Sequence, residues 1–257
     1  MASSILDKEP PAADKRLAYG NDPNQFGDLR LPRGKGPHPL IVNIHGGFWR
    51  AAYDLTHAGH LCAALAGEGY ATWNLEYRRV GNLGGGWPGS LEDISLGYRF
   101  LRQEAKAFNL DISKTMVMGH SAGGQLALCL ASHEPTVHSV VALAAVSDLK
   151  NAWVRHLSND AVVEFLGGRP GEVPEHYKEA DPLEFAVKSA VQWLVHGLDD
   201  DIVPFEYSRN YVQQKRKDKE DVHLLEIAGA SHFDVIDPHS AAWKKIAVTI
   251  ASLLPAQ

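Results

Sequence analysis

Six apolar runs of strand length recur between Pro39 and Ile227: Pro39 to His45, Ala71 to Glu76, Thr115 to Met118, Ser139 to Leu143, Val191 to His196 and Val222 to Ile227. Most are followed by a stretch with helical spacing, at Leu55 to Gly67, Leu91 to Phe108, Ala122 to Ser132, Glu206 to Gln214 and Ser240 to Leu254. Near-continuous apolar strands have to be covered on both sides, and a helix after each strand is the connection that returns the chain to the same edge. The pattern therefore predicts an α/β fold, with a mostly parallel central sheet and helices on both faces.

Two stretches depart from the alternation. Arg16 to Gly20 and Phe26 to Leu31, separated by Asn21-Asp22-Pro23, read as two short antiparallel strands. They follow a Pro- and Ala-rich segment, residues 1–15, that suits a loosely held arm without chemistry. Between Asp148 and Ala190 the strand–helix order breaks, with two short helix-like pieces and the turn-rich Gly167 to Pro174, so a small helical cap is expected over about residues 149–190. A chain of 257 residues needs no second core, and residues 1–257 are read as a single domain.

The sharpest local signal is Gly119-His120-Ser121-Ala122-Gly123, directly after one expected strand and directly before one expected helix. A serine on such a turn is forced into a strained backbone and lifted above the sheet, and flanking glycines keep side chains out of a crowded crossing. The helix start also aims free N–H groups and the positive end of its dipole at the same point. That combination suits a nucleophile whose attack creates an oxyanion. His45-Gly46-Gly47-Phe48-Trp49 ends the first parallel strand, and by position the N–H groups of Gly47 and Phe48, with that of Ala122, are the candidate oxyanion donors. His45 lies where it can buttress this loop from below.

In hydrolases that carry their serine on such a turn, an acid and then a histidine follow in loops after later strands. His232, in Ala230-Ser231-His232-Phe233-Asp234, is the candidate base that combines order, loop position and small neighbours. Three consecutive aspartates, Asp199, Asp200 and Asp201, leave the acid open, and Asp148 is an outside alternative. A serine hydroxyl is a weak nucleophile at neutral pH, so the base must accept its proton and the acid must hold the base in the right tautomer.

With these motifs the chain resembles the α/β-hydrolase superfamily from the Pro39 strand to the C-terminal helix. Within it, HGGFW at His45 to Trp49 and GHSAGG at Gly119 to Gly124 resemble the oxyanion loop and elbow of arylformamidases, the kynurenine formamidase branch. Esterases of the hormone-sensitive lipase type are similar but usually carry a third glycine where this chain has Phe48. Both motifs also occur in small bacterial carboxylesterases of unassigned substrate. The resemblance implies an α/β-hydrolase fold and a Ser121, His232, Asp200 triad. Asp200 is chosen because family sequences place the acid four residues after the histidine of His-Gly, here His196, and three before the valine of Val-Pro, here Val203. The implied activity is hydrolysis of short-acyl carboxylic esters through an acyl-enzyme, with aryl formamides such as N-formylkynurenine as the alternative. A non-catalytic protein that keeps the pocket and binds a small ligand is the reading from another class.

Trp49, Trp87, His120, Trp153 and Phe165 are the candidate substrate-binding residues, Trp49 and Phe48 suggesting acceptance of a flat aryl group. The small cap, without a long apolar helix, favours short acyl chains. The Gly81 to Gly89 loop lacks the lysine and Ser/Thr of a phosphate loop, and His57 and His60 lack a third ligand, so neither cofactor nor metal is expected. A formal charge of −6 without a basic cluster argues against nucleic acid. Cys62 and Cys129 sit in helix-like apolar runs as expected buried thiols. The charged, proline-bearing N-terminal stretch is unlike a signal peptide and no membrane span is visible, so a cytoplasmic monomer or homodimer is expected.

Overall fold

The structure, a computed structural model, describes residues 5–255. Its centre is one eight-stranded sheet: β1 (Lys15–Ala18), β2 (Phe26–Arg30), β3 (His38–Ile44), β4 (Ala71–Leu75), β5 (Leu110–His120), β6 (Ser139–Leu143), β7 (Val191–Gly197) and β8 (Val222–Ile227). The spatial order is β1-β2-β4-β3-β5-β6-β7-β8. β1 and β2 pair antiparallel, β2 joins β4 antiparallel, and every other pairing is parallel. The mostly parallel, helix-covered sheet expected from the strand–helix alternation is thus present, and with it the α/β-hydrolase fold that the resemblance implies.

Alternate residues of the strands feed two cores. Leu40, Val42 and Ile44 of β3 point into one, with Leu91, Ile94, Tyr98 and Leu101 of α2 (Gly89–Gln103), Leu126 and Leu130 of α3 (Ala122–His133) and Tyr207 and Tyr211 of α7 (Glu206–Lys217). Ile41, between them, points into the other, with Leu61 and Leu65 of α1 (Gly59–Gly67) and Ile246 and Ile250 of α8 (Trp243–Leu253). The period-two side-chain alternation of a strand is what sends neighbours to opposite faces. Cys62 and Cys129 are buried free thiols. Among the described residues no helix is long and apolar enough to cross a membrane.

Several boundaries move for local reasons. β5 starts at Leu110, and its pairing with β3 shifts register between Pro39 and Leu40, so the polar Ser113 and Lys114 belong to an irregular strand end rather than to a loop. α8 starts at Trp243 because Ser240 is drawn into the preceding turn, its N–H bonding Asp237 and its hydroxyl bonding the Asp234 carbonyl.

The insertion after β6 contains three short helices, not two: α4 (Leu149–Val154), α5 (Ala161–Leu166) and α6 (Pro174–Ala180). Pro174 opens α6, where its fixed φ and missing N–H are tolerated. Leu149, Ala152, Val162, Phe165, Leu166 and Tyr177 all enter the first core, so this insertion is packed into the domain. The N-terminal segment also departs from the loose arm suggested by its composition. Residues 1–4 of that arm lie outside the described residues, but Ile5–Asp7 form a 3-10 turn and Ile5 is buried in the second core.

Candidate active site

β3 and β5 are neighbours, but the chain leaves β3 for β4 on one side and returns to β5 on the other. A parallel sheet opens a crevice at the carboxyl ends of strands where the order reverses in this way. The loop after β3 and the turn after β5 both lie at that crevice.

Ser121 stands at the junction of β5 and α3 with φ 56° and ψ −120°, a sparsely populated conformation for a residue with a side chain. The glycines around it are there for lack of space. A Cβ on Gly119 would lie 2.1 Å from the Gly123 carbonyl oxygen, and one on Gly123 would lie 2.1 Å from that of Ile44. Strand, elbow and helix therefore cross at backbone contact, which holds the serine up against its own conformational preference.

The loop after β3 runs against the elbow: a Cβ on Gly46 would come within 3.1 Å of Ser121 Cβ. Gly47, Phe48 and Trp49 all have positive φ, at 110°, 49° and 57°. Among the described residues no backbone carbonyl accepts from the N–H of Gly47, Phe48 or Ala122, the three groups at the loop after β3 and the start of α3. Beneath the loop, the buried His45 donates through Nε2 to Glu76 Oε1 at 3.0 Å. Glu76 also accepts from the Leu55 and Tyr77 N–H groups and pairs with Arg79. Burial would raise the Glu76 carboxyl, but His45, Arg79 and the Tyr77 N–H outweigh it and hold its pKa below the ordinary value. Arg79 in turn donates to the Tyr53 carbonyl, tying the far end of the loop to the same carboxylate.

His232 lies after β8 and Asp200 after β7. His232 Nδ1–H donates to Asp200 Oδ2 at 2.7 Å, which leaves Nε2 as the acceptor nitrogen of the ring. Asp200 Oδ1 accepts from the N–H groups of Ile202 (2.9 Å) and Val203 (2.8 Å), and His196 Nε2 lies 3.1 Å from Oδ2. Burial opposes ionisation here, yet the hydrogen bonds from His196, His232 and the Val203 N–H outweigh it and hold the carboxyl well below the usual carboxylate range. Asp199 and Asp201 are exposed. Asp148 is occupied elsewhere, capping α4 by accepting from the Asn151 N–H, and burial raises its pKa.

Ser121 and His232 open onto one cavity of about 280 Å³, shared with Gly47, Phe48, Tyr53, His57, His120, Ile202, Phe233 and Leu6. Burial, and the neighbouring His45, lower the His57 pKa to about 4, and burial with His232 and His57 pushes His120 down as well. Both rings are neutral at neutral pH, so the cavity presents carbon surface and uncharged imidazoles around its serine.

Of the aromatic and histidine candidates for substrate contact, His120 lines this cavity, whereas Trp49, Trp87, Trp153 and Phe165 do not. The positive φ of Phe48 and Trp49 turns the Trp49 indole inward, where it donates to Gln125 Oε1 at 3.0 Å and stacks on Phe165 at 4.5 Å. Trp87 meets the same Phe165 edge-on, and Trp153 packs against the first core. These four side chains hold the insertion and the loop after β3 to the domain. Tyr53, His57, Ile202, Phe233 and Leu6 were not singled out from sequence as substrate contacts. Phe233 and Ile202 flank His232 and Asp200 closely enough for that adjacency to have served as a signal; Leu6 carries none.

Known proteins with this architecture are many. The truncated carbohydrate esterase from gut microbiota superimposes with a TM-score of 0.81 at 20% identity, covering 96% of this chain and 99% of that one. Esterase B of Lactobacillus rhamnosis also gives 0.81, at 18% identity, covering 97% and 89%. In sequence, Esterase LipC of Mycobacterium tuberculosis is 26% identical over 87% of this chain, and the probable isoprenylcysteine alpha-carbonyl methylesterase of rice, Oryza sativa subsp. japonica, is 26% identical over 94%. The chain spans 60% and 64% of the length of these two relatives. Residues 28–214, from β2 through the elbow and the Asp200 loop into α7, match the BD-FAE family model. A match over most of the chain shows the family, and the superpositions agree on the architecture: the chain belongs to the BD-FAE family and has the α/β-hydrolase fold.

Proposed function

We propose that this protein is a carboxylic ester hydrolase that works through a Ser121, His232, Asp200 triad and an acyl-enzyme intermediate. The observation that carries the reading is the 2.7 Å bond from His232 to Asp200 in a chain whose strained Ser121 opens onto the same cavity as that histidine. In the forward step, His232 Nε2 takes the Ser121 hydroxyl proton as Oγ attacks the ester carbonyl. The ionised Asp200 fixes the tautomer and stabilises the imidazolium that forms. The N–H groups of Gly47, Phe48 and Ala122 receive the oxyanion, and the imidazolium then protonates the departing alcohol. Water, activated by the same histidine, releases the acid and restores the serine.

The relatives named above are esterases by name, which supports the ester as the bond cleaved. A cavity of about 280 Å³ with a largely carbon lining suits a short acyl chain with a modest alcohol. The substrate is a small molecule. Phe48, Tyr53 and Phe233 beside the serine also suit an aryl group, which keeps aryl formamides as the second reading. The test is fluorophosphonate labelling with mapping of the modified residue, followed by turnover of p-nitrophenyl esters of rising acyl length beside N-formylkynurenine. Labelling at Ser121 with acetyl or butyryl esters preferred is the expected result. An unlabelled protein would return the chain to the non-catalytic binding class, and preference for the formyl amide over every ester would make it a formamidase.

A further inference from the structure

No residue of the helical insertion between 149 and 190 lines the cavity at Ser121, so the element that the sequence suggests as a lid does not bound the substrate space. One wall comes from the opposite end of the chain. Leu6 lines the cavity although it lies more than a hundred residues before the serine, and it is 45% exposed, whereas its neighbour Ile5 is 2% exposed. Adjacent residues of the turn thus do different work: Ile5 is buried in the second core with Ile41 and Leu61, and Leu6 faces the cavity mouth.

The segment behind them is held at successive points. His60 Nε2–H donates to the Lys8 carbonyl at 3.2 Å, Arg30 Nη2 to the Pro11 carbonyl at 2.8 Å, and the Asp14 N–H to Leu29 of β2 at 3.0 Å. Such a strap presents one side chain at a fixed place without being part of the core. We propose that Leu6, carried on this strap, is the wall that limits the length of chain the cavity accepts, and that the helical insertion has no part in that limit. The inference rests on the ester-hydrolase reading for its substrate, but the wall itself is a matter of cavity shape. Shortening Leu6 enlarges the cavity on the side that this residue lines, and enlarging the residue fills that side.

The experiment compares wild type, Leu6→Ala, Leu6→Trp and Trp153→Ala. Each is assayed for kcat/KM over two p-nitrophenyl and ethyl ester series that lengthen the acyl and the alcohol side in turn. The same proteins are titrated with straight-chain primary alcohols by thermal shift, which reads occupancy without chemistry. Leu6→Ala is expected to raise kcat/KM about tenfold, relative to the acetate ester, at the first chain length that wild type rejects, as seating two more methylenes would. The alcohol cutoff should lengthen in parallel, Leu6→Trp should move both cutoffs the other way, and Trp153→Ala should move neither. Cutoffs unchanged in Leu6→Ala, or moved equally by Trp153→Ala, would overturn the proposal. A shifted alcohol cutoff in a protein that hydrolyses no ester would leave the wall standing and reject the hydrolase reading instead.

Discussion

His120 Nε2–H donates to the backbone carbonyl of His232 across 2.9 Å, with the two rings 4.5 Å apart. The residue before the proposed nucleophile is therefore bonded to the main chain of the proposed base, and the two loops cannot drift independently. With Asp200 holding the ring and His120 holding the backbone, His232 is fixed at both ends.

Replacing His120 by phenylalanine keeps a ring in that place and deletes the bond. We expect kcat on a short ester to fall about tenfold with KM little changed, the size of one lost orienting hydrogen bond. An unaltered kcat in a folded His120→Phe protein would show that the bond does not position the base.

Ser121→Ala should lower turnover by on the order of 10³ or more while leaving the circular dichroism spectrum unchanged, as removal of a nucleophile does. Ser121→Gly should be equally inactive yet melt higher, because glycine adopts φ 56° without strain and the release is worth about 1 kcal/mol. Paired activity and melting curves separate the two effects; a lower melting temperature in Ser121→Gly would deny that the elbow stores strain.

Among the three aspartates, Asp200→Asn should depress kcat far more than Asp199→Asn or Asp201→Asn. Only the Asp200 carboxylate accepts from His232, while its neighbours are exposed. Steady-state kinetics of the three variants check this, and equal losses would remove Asp200 from its role.

Stability should fall as pH drops from about 6.5 to about 4. The His57 pKa is lowered from 6.5 to about 4 by burial, so across that window the unfolded chain binds a proton that the folded one refuses. Stability contributed by neutral His57 is full above 6.5 and is lost as pH falls through the folded value, up to on the order of 3 kcal/mol. His120 is shifted in the same direction by the same cause. Urea midpoints between pH 4 and 7 should slope less steeply in His57→Gln, and identical slopes would exclude His57 as a source of the dependence.

The sheet and the elbow were legible in the chain itself. Period-two and period-3.6 patterns report which face of each element is apolar, and glycine at 119 and 123 reports a backbone crossing too tight for a Cβ. Such rules act over a few residues. The acid loop shows their limit: Asp199, Asp200 and Asp201 are equivalent in local chemistry, and resemblance alone favoured the middle one. In the folded chain, the Ile202 and Val203 N–H groups bind one oxygen of Asp200 and leave the other for a histidine 32 positions on.

The aromatic residues were the least legible. Trp49, Trp87, Trp153 and Phe165 carry the composition of a binding pocket, but whether a ring faces a ligand or a neighbour depends on backbone φ and on partners far along the chain, here Gln125 and Phe165 for Trp49. Leu6 is the converse case, an ordinary leucine in a segment without a motif that lines the cavity at the serine because Ile5 finds the second core. The succession of strands and helices along the chain and the elbow follow from short-range periodicity and sterics. Which acid meets the base, and which side chains bound the cavity, follow from long-range packing that arises only when distant segments are brought together.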